Sequence, residues 1–258
     1  HASLQLQAST GVAYGIWNYV NQTGDKAFLY EYGAKMLVEI CRMLASRGDW
    51  DPATGKYGYY CVMGPDEFQM MVNHNAYTNF MGQKTFRFTL ETLAEMAAAD
   101  PESVIALGVT AEEQADWKNK ADKMYLPYDE KTKLFEQHMG YFHLPHVDIN
   151  AIPVEQFPLY SHWSYERIYR NDMVKQPDVL MFFLLYGSEF TREQLEANFD
   201  FYEPRCIHES SLSPSIHSIL ACRLGRMDKA EQFFDFATRM DLDNYNRNTR
   251  EGLHTTSI

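Results

Sequence analysis

Apolar side chains recur at helical spacing along most of the chain. Val12, Ile16 and Tyr19 form one stripe, and Leu29, Met36, Ile40 and Leu44 form a second. Thr23-Gly24-Asp25 forms a turn between them, with residue types that suit a helix start, so a helical hairpin is predicted there. Phe86, Leu90, Leu93 and Ala97 predict a helix ending near Asp100-Pro101, and Glu112 to Met124 predicts another. Val179 to Tyr186 is almost wholly apolar and reads as a buried helix, whereas Ala230, Phe233, Phe234 and Ala237 mark an amphipathic one. Ser213 suits an N-cap, Pro214 the first helical position and Gly225 the far end of one more helix. Between Leu126 and Arg170 the helical pattern lapses. There Leu134-Phe135-Glu136-Gln137 and Gly140-Tyr141-Phe142-His143-Leu144 read as loop and short strand. Paired helices with long loops imply an all-α fold, either a toroid of hairpins or a helical array, and periodicity leaves both open. No fixed repeat, low-complexity segment or composition shift marks a domain boundary.

Composition narrows this picture. The 258 residues are 45% hydrophobic and 22% charged, enough for one large domain with a substantial core. No apolar run approaches the ~20 residues that span a bilayer. The start, His1-Ala2-Ser3-Leu4-Gln5, has neither the basic nor the apolar segment of a signal peptide and no initiator Met, so the chain is expected to begin inside a longer protein. A net charge of -12 disfavours nucleic acid and anionic membrane as partners, since both need a basic face. Cys41, Cys61, Cys206 and Cys222 form no CxxC pair, which favours neither a zinc site nor a disulfide framework and predicts reduced thiols in a cytoplasmic protein.

Three polar constellations carry candidate chemistry. Gly64-Pro65 forces a turn that puts Asp66 and Glu67 on a loop. A carboxyl serving as general acid must stay protonated near neutral pH, and apolar neighbours (Phe68, Met63) with a like charge (Asp66) favour that. The competing reading is a solvated acidic turn. Lys175-Gln176 offers a donor beside an amide that both donates and accepts, a pair able to bracket vicinal sugar hydroxyls, or else an ordinary polar helix start. His162, Trp163 and Tyr165 upstream could line the same pocket. Ser210-Ser211-Leu212-Ser213 precedes the helix opened by Pro214, where hydroxyls, backbone N–H groups and the helix dipole can hold an anion without a cation. A serine-rich capping loop is the alternative there.

Taken together these segments resemble glycoside hydrolase family 65. Gly64-Pro65-Asp66-Glu67-Phe68, followed by Asn75-Ala76-Tyr77-Thr78-Asn79, is similar to that family's acid-catalyst signature. Gln69 and His74 stand where His and Asn are expected, departures that bear on acceptor specificity more than on the chemistry. Lys175-Gln176-Pro177-Asp178-Val179 resembles its K-Q-A-D-V motif, and His208-Glu209-Ser210-Ser211-Leu212-Ser213 and Gly252-Leu253-His254 resemble its phosphate-binding segments. The resemblance implies Glu67 as proton donor, Lys175 and Gln176 as ligands of the glucosyl unit, and Ser210, Ser211 and His254 as phosphate ligands, with His217 structural. It implies an (α/α)6 barrel present here in part, with flanking β domains and a Trp-Asp pair of the glucosyl site outside this chain, and a homodimer.

The reaction so implied is inverting phosphorolysis of an α-glucoside, giving β-glucose 1-phosphate, with phosphate as co-substrate and no metal or organic cofactor. Maltose, trehalose, kojibiose, nigerose or a glucosyl-polyol would each fit. Glu67 and the anion should then stand roughly 6–10 Å apart, by analogy with the carboxylates of inverting hydrolases. A family hydrolase is the alternative enzyme, with Glu209 or Glu251 as its base. A non-catalytic sugar-binding scaffold would have Glu67 facing outward and no cavity joining the three segments.

Overall fold

The computed structural model describes residues 2–245, 247 and 249–254. The chain is mostly helical and divides into two compact units, residues 1–64 with 71–126, and residues 65–70 with 127–258. The short run 65–70 thus leaves the unit that surrounds it in sequence and belongs to the second.

In the first unit, α1 (Gln7–Thr23) ends at Gly24, whose positive φ of 71° lets its N–H close on the Val20 carbonyl. The Asp25 carboxylate accepts the Phe28 N–H and restarts the chain as a helical turn, a π-turn at Leu29–Gly33, and then α2 (Ala34–Arg47). A Cβ at Gly33 would lie 3.1 Å from both Ile16 and Leu29, so glycine allows this close approach to α1. The predicted hairpin is therefore present. The helix α3 (Ala76–Ala99) begins ten residues before its apolar stripe announces it, because Asn75 caps it by accepting the Thr78 N–H at 2.8 Å. A reciprocal capping box between Thr110 and Glu113 opens α4 (Ala111–Asp122). The core of this unit gathers Leu44, Tyr57, Tyr59, Phe86, Leu93 and Trp117. A minimal antiparallel pair, β1 (Asp49–Trp50) with β2 (Tyr57–Gly58), lies beside it.

In the second unit, β3 (Tyr128–Asp129) and β4 (Leu134–Phe135) form a short hairpin, as the lapse in helical pattern predicts. The Tyr141–His143 segment is a 3-10 turn rather than a strand. The buried helix is α5 (Val179–Leu185), and α6 (Arg192–Tyr202), which apolar spacing alone does not reveal, opens on a Thr191–Gln194 capping box. The helices α7 (Ser213–Arg223) and α8 (Met227–Arg239) form a hairpin closed at Gly225, φ 76°. One expectation fails here: Leu212, not Ser213, is the N-cap, and no side chain caps α7. Among the described residues no helix is long and apolar enough to cross a membrane, and all four cysteines are free thiols.

Candidate active site

The acid loop is held from both sides of Glu67. Asp66 is fully buried, and its Oδ1 accepts the N–H groups of Phe68 at 3.1 Å and of Lys175 at 2.9 Å. Its Oδ2 accepts from the Gln137 amide at 2.8 Å. Phe68 is buried with Leu159, Ile168, Met173 and Ile207. Gln176 donates to the Pro65 carbonyl at 2.5 Å, so Lys175 and Gln176 both lie against the loop that carries Glu67. Sequence reasoning expected Glu67 to be enclosed by apolar groups. Instead its side chain is 43% exposed and ion-paired with the Lys175 ammonium. Burial acts on its neighbour: desolvation lifts the Asp66 carboxyl to about 6 against the pull of its hydrogen bonds from Lys175 N–H, Gln137 and Phe68 N–H.

Lys175 connects this region to the anion loop. Val174 pairs in parallel with Cys206, its N–H donating to the Arg205 carbonyl and its carbonyl accepting the Ile207 N–H, both at 2.8 Å. The Cys206 thiol lies 3.7 Å from the Lys175 carbonyl and 3.3 Å from the Ser213 hydroxyl. Asp66, Lys175, Cys206 and Ser213 thus form a continuous chain of contacts from the acid loop to the start of α7. The serine loop is tightly tied. Ser210 accepts the Leu212 N–H on its hydroxyl and the Ser213 N–H on its carbonyl, each at 3.3 Å. These two N–H groups are therefore spent inside the loop, while the Ser210 hydroxyl, whose oxygen already accepts, can still donate its hydrogen to an anion. Ser211 is half-buried beside it.

The Ser213 hydroxyl, freed from capping, sits 2.7 Å from His208 Nδ1 and 3.5 Å from His217 Nδ1. Cys206, His208 and His217 have ligand atoms within 4.8 Å of one another, the spacing of a metal site. The hydroxyl already bridges all three. Burial holds His208 well below its ordinary range and His217 at about 4, and pushes the Cys206 thiol up to about 12. His208 adopts a positive φ of 56°, and its bond to Ser213 closes the loop that contains Ser210 and Ser211. His254 is held elsewhere in this unit by Asp241, its Nδ1 2.6 Å from one oxygen and its N–H 2.6 Å from the other.

Other residues expected near the site have different tasks. Gln69 is buried and spans the Asn171 carbonyl (2.8 Å) and His138 Nε2 (3.0 Å), so this departure from the family pattern plugs the floor of the acid loop. His74 belongs to the first unit, where it stacks on Tyr125 with centroids 4.5 Å apart. Trp163 donates to Gln156 at 2.6 Å and lies under the Arg167 guanidinium, while His162 and Tyr165 are exposed. Tyr169 is close enough to Glu67 to feel its charge. A cavity of about 830 Å³ borders the anion loop at His208 and Glu209 and runs along α8 past Phe236 and Arg239. Its walls include neither Glu67 nor Lys175. Glu209 accepts the Leu159 N–H, and burial raises its carboxyl above the usual range. The Glu251 side chain lies outside the described residues. The staple residues Asp66, Gln137 and Asn171 were not singled out as such; Asp beside Glu in a Gly-Pro turn was the one signal available.

The family model of the glycosyl hydrolase family 65 central catalytic domain matches residues 1–258. The chain is 39% identical over 259 residues to the alpha,alpha-trehalose phosphorylase of Thermoanaerobacter brockii, covering 98% of this chain and 34% of that protein. It is 38% identical over 254 residues to the maltose phosphorylase of Bacillus subtilis (strain 168), covering 98% of this chain and 33% of that one. A solved structure assigned as a kojibiose phosphorylase from human microbiome is 52% identical, with a TM-score of 0.94 over all of this chain and 34% of its own. The chain thus spans about a third of the length of these relatives, and its all-α fold is a portion of the family's (α/α)6 barrel. On the match of the whole chain to the family model, with relatives and fold in agreement, this protein belongs to glycosyl hydrolase family 65.

Proposed function

We propose that this chain carries the reaction center of an inverting α-glucoside phosphorylase. Glu67 protonates the bridging oxygen, Lys175 and Gln176 hold the glucosyl unit, and phosphate at Ser210 and Ser211 attacks the anomeric carbon to give β-glucose 1-phosphate. The observation that carries this reading is the contact chain from the acid loop through Lys175 and Cys206 to the serine loop. The Lys175–Glu67 pair fits a substrate-free state. In this scheme sugar binding draws Lys175 away from the Glu67 carboxylate and onto substrate hydroxyls. His254 joins the anion site only with Nε2, because Nδ1 is committed to Asp241. No step in this scheme calls for a metal or organic cofactor. Phosphate is already a nucleophile, whereas a hydrolase needs a base to activate water.

The test is made on the full-length enzyme. Replacing Ser210 and Ser211 by Ala should raise KM for phosphate while leaving sugar affinity much less affected, since each hydrogen bond to a charged group is worth ~1.5–3 kcal/mol. A collapse of sugar affinity with unchanged phosphate KM would show that the pocket is assigned backwards. Synthesis from β-glucose 1-phosphate with glucose as acceptor, its products separated by linkage, identifies the disaccharide. The 52% relative makes kojibiose the first product to look for. A homodimer is proposed on the same family grounds and is read by light scattering.

A further inference from the structure

Glu67 is flanked by two anchored residues, while its own side chain is partly exposed and ion-paired with Lys175. Asp66 accepts from Lys175 N–H, Phe68 N–H and Gln137, and its own N–H points to Asp178 at 3.4 Å. Phe68 is fixed by that bond and by its burial. A carboxyl sought by its titration alone would be Asp66, lifted to about 6 by burial. Its geometry excludes it as proton donor, since it is 0% exposed and both oxygens already accept hydrogen bonds. What those bonds do is couple two loops more than a hundred residues apart in sequence, the one bearing Glu67 and the one bearing Lys175 and Gln176.

We propose that Asp66 is a positioning residue, whose buried carboxylate fixes the acid loop to the sugar-binding loop and so sets the direction in which Glu67 delivers its proton. This rests on the reading of Glu67 as the acid. The physical demand is strict, because an error of about 1 Å in a reacting group can cost ~10²-fold in rate. Asn at position 66 keeps an oxygen for the Lys175 and Phe68 N–H groups, and the Gln137 amide can turn to receive its NH2. Ala leaves both N–H groups buried and without this acceptor.

The experiment compares Asp66→Ala, Asp66→Asn and Glu67→Gln in the full-length enzyme, with the disaccharide and with α-glucosyl fluoride, whose leaving group departs with little help from an acid. Glu67→Gln and Asp66→Ala should each lose at least ~10²-fold in kcat on the disaccharide, and far less on the fluoride. Asp66→Asn should stay within ~10-fold of wild type, the cost of one weakened hydrogen bond. Asp66→Glu, with its acceptors displaced by one methylene, should repeat the Ala pattern if Ala does not fold. Near-wild-type activity of Asp66→Ala or Asp66→Glu beside an inactive Glu67→Gln overturns the proposal alone. So does an Asn variant as poor as Ala, or equal losses on both substrates. An active Glu67→Gln overturns the reading of Glu67 and this proposal with it.

Discussion

The two units satisfy their buried backbone in different ways. In the first, long helices supply most of the hydrogen bonds and side-chain acceptors such as Asn79, which receives the Tyr59 N–H at 3.2 Å, serve the segment between them, so side chains such as Phe86 and Trp117 mainly fill space. In the second, residues 127–178 are largely loop, and side-chain acceptors take over the backbone donors. Asp66 receives Lys175 and Phe68, Asn171 receives Met173 at 3.0 Å, Asp172 receives Val147 at 3.2 Å, and Asn198 receives Phe135 at 3.0 Å. The difference separates two kinds of mutational cost. Damage in the first unit should appear as lost stability, and damage in the loops as lost geometry at the site.

The largest expected stability effect lies in the first unit. Trp117 is 1% exposed, so Trp117→Ala should cost ~3–5 kcal/mol of unfolding free energy, read by urea denaturation. A loss below ~1 kcal/mol would break the comparison, since the helical core would then not depend on filled space.

A smaller effect is written in pH. Asp66, at about 6 when folded, holds a proton in the folded chain across roughly pH 4–6 that the unfolded chain has released. Its contribution is complete below about pH 4 and is lost as pH rises through 6, a span of up to ~3 kcal/mol. His217, lowered by burial to about 4, works in the opposite sense: its contribution is complete above about pH 6.5 and is lost as pH falls through 4. The difference in unfolding free energy between wild type and Asp66→Asn isolates the Asp66 part, with wild type relatively more stable at pH 4 than at pH 7. A flat difference would mean that the three hydrogen bonds cancel desolvation.

The smallest effect sharpens the contrast. The Glu67–Lys175 pair is 43% and 21% exposed, so Lys175→Met should change stability by no more than ~1 kcal/mol while raising KM for the glucoside. A stability loss as large as that of Trp117→Ala would place Lys175 among the structural residues instead.

Much of the helical framework can be read in the chain. The stop at Gly24 and restart at Asp25, the stripe of Phe86 and Leu93, and the amphipathic Ala230–Ala237 run all follow from local spacing and punctuation, because a helix makes its bonds within a few residues of itself. The candidate residues Glu67, Lys175, Gln176, Ser210, Ser211 and His254 were also legible, through a resemblance whose motifs run in consistent order. Local rules misjudged what side chains do when distant segments meet. Ser213 has the residue type of an N-cap, yet its hydroxyl belongs to His208, Cys206 and His217. Asp66 and Glu67 look alike as neighbours in a turn, but one is wholly buried and the other reaches solvent. Which carboxyl is enclosed depends on donors from residues 137 and 175, and no local pattern around position 66 encodes them. Periodicity and capping could determine the helices because their energetics are local, whereas desolvation and loop-to-loop hydrogen bonds arise only once the tertiary fold brings those segments together.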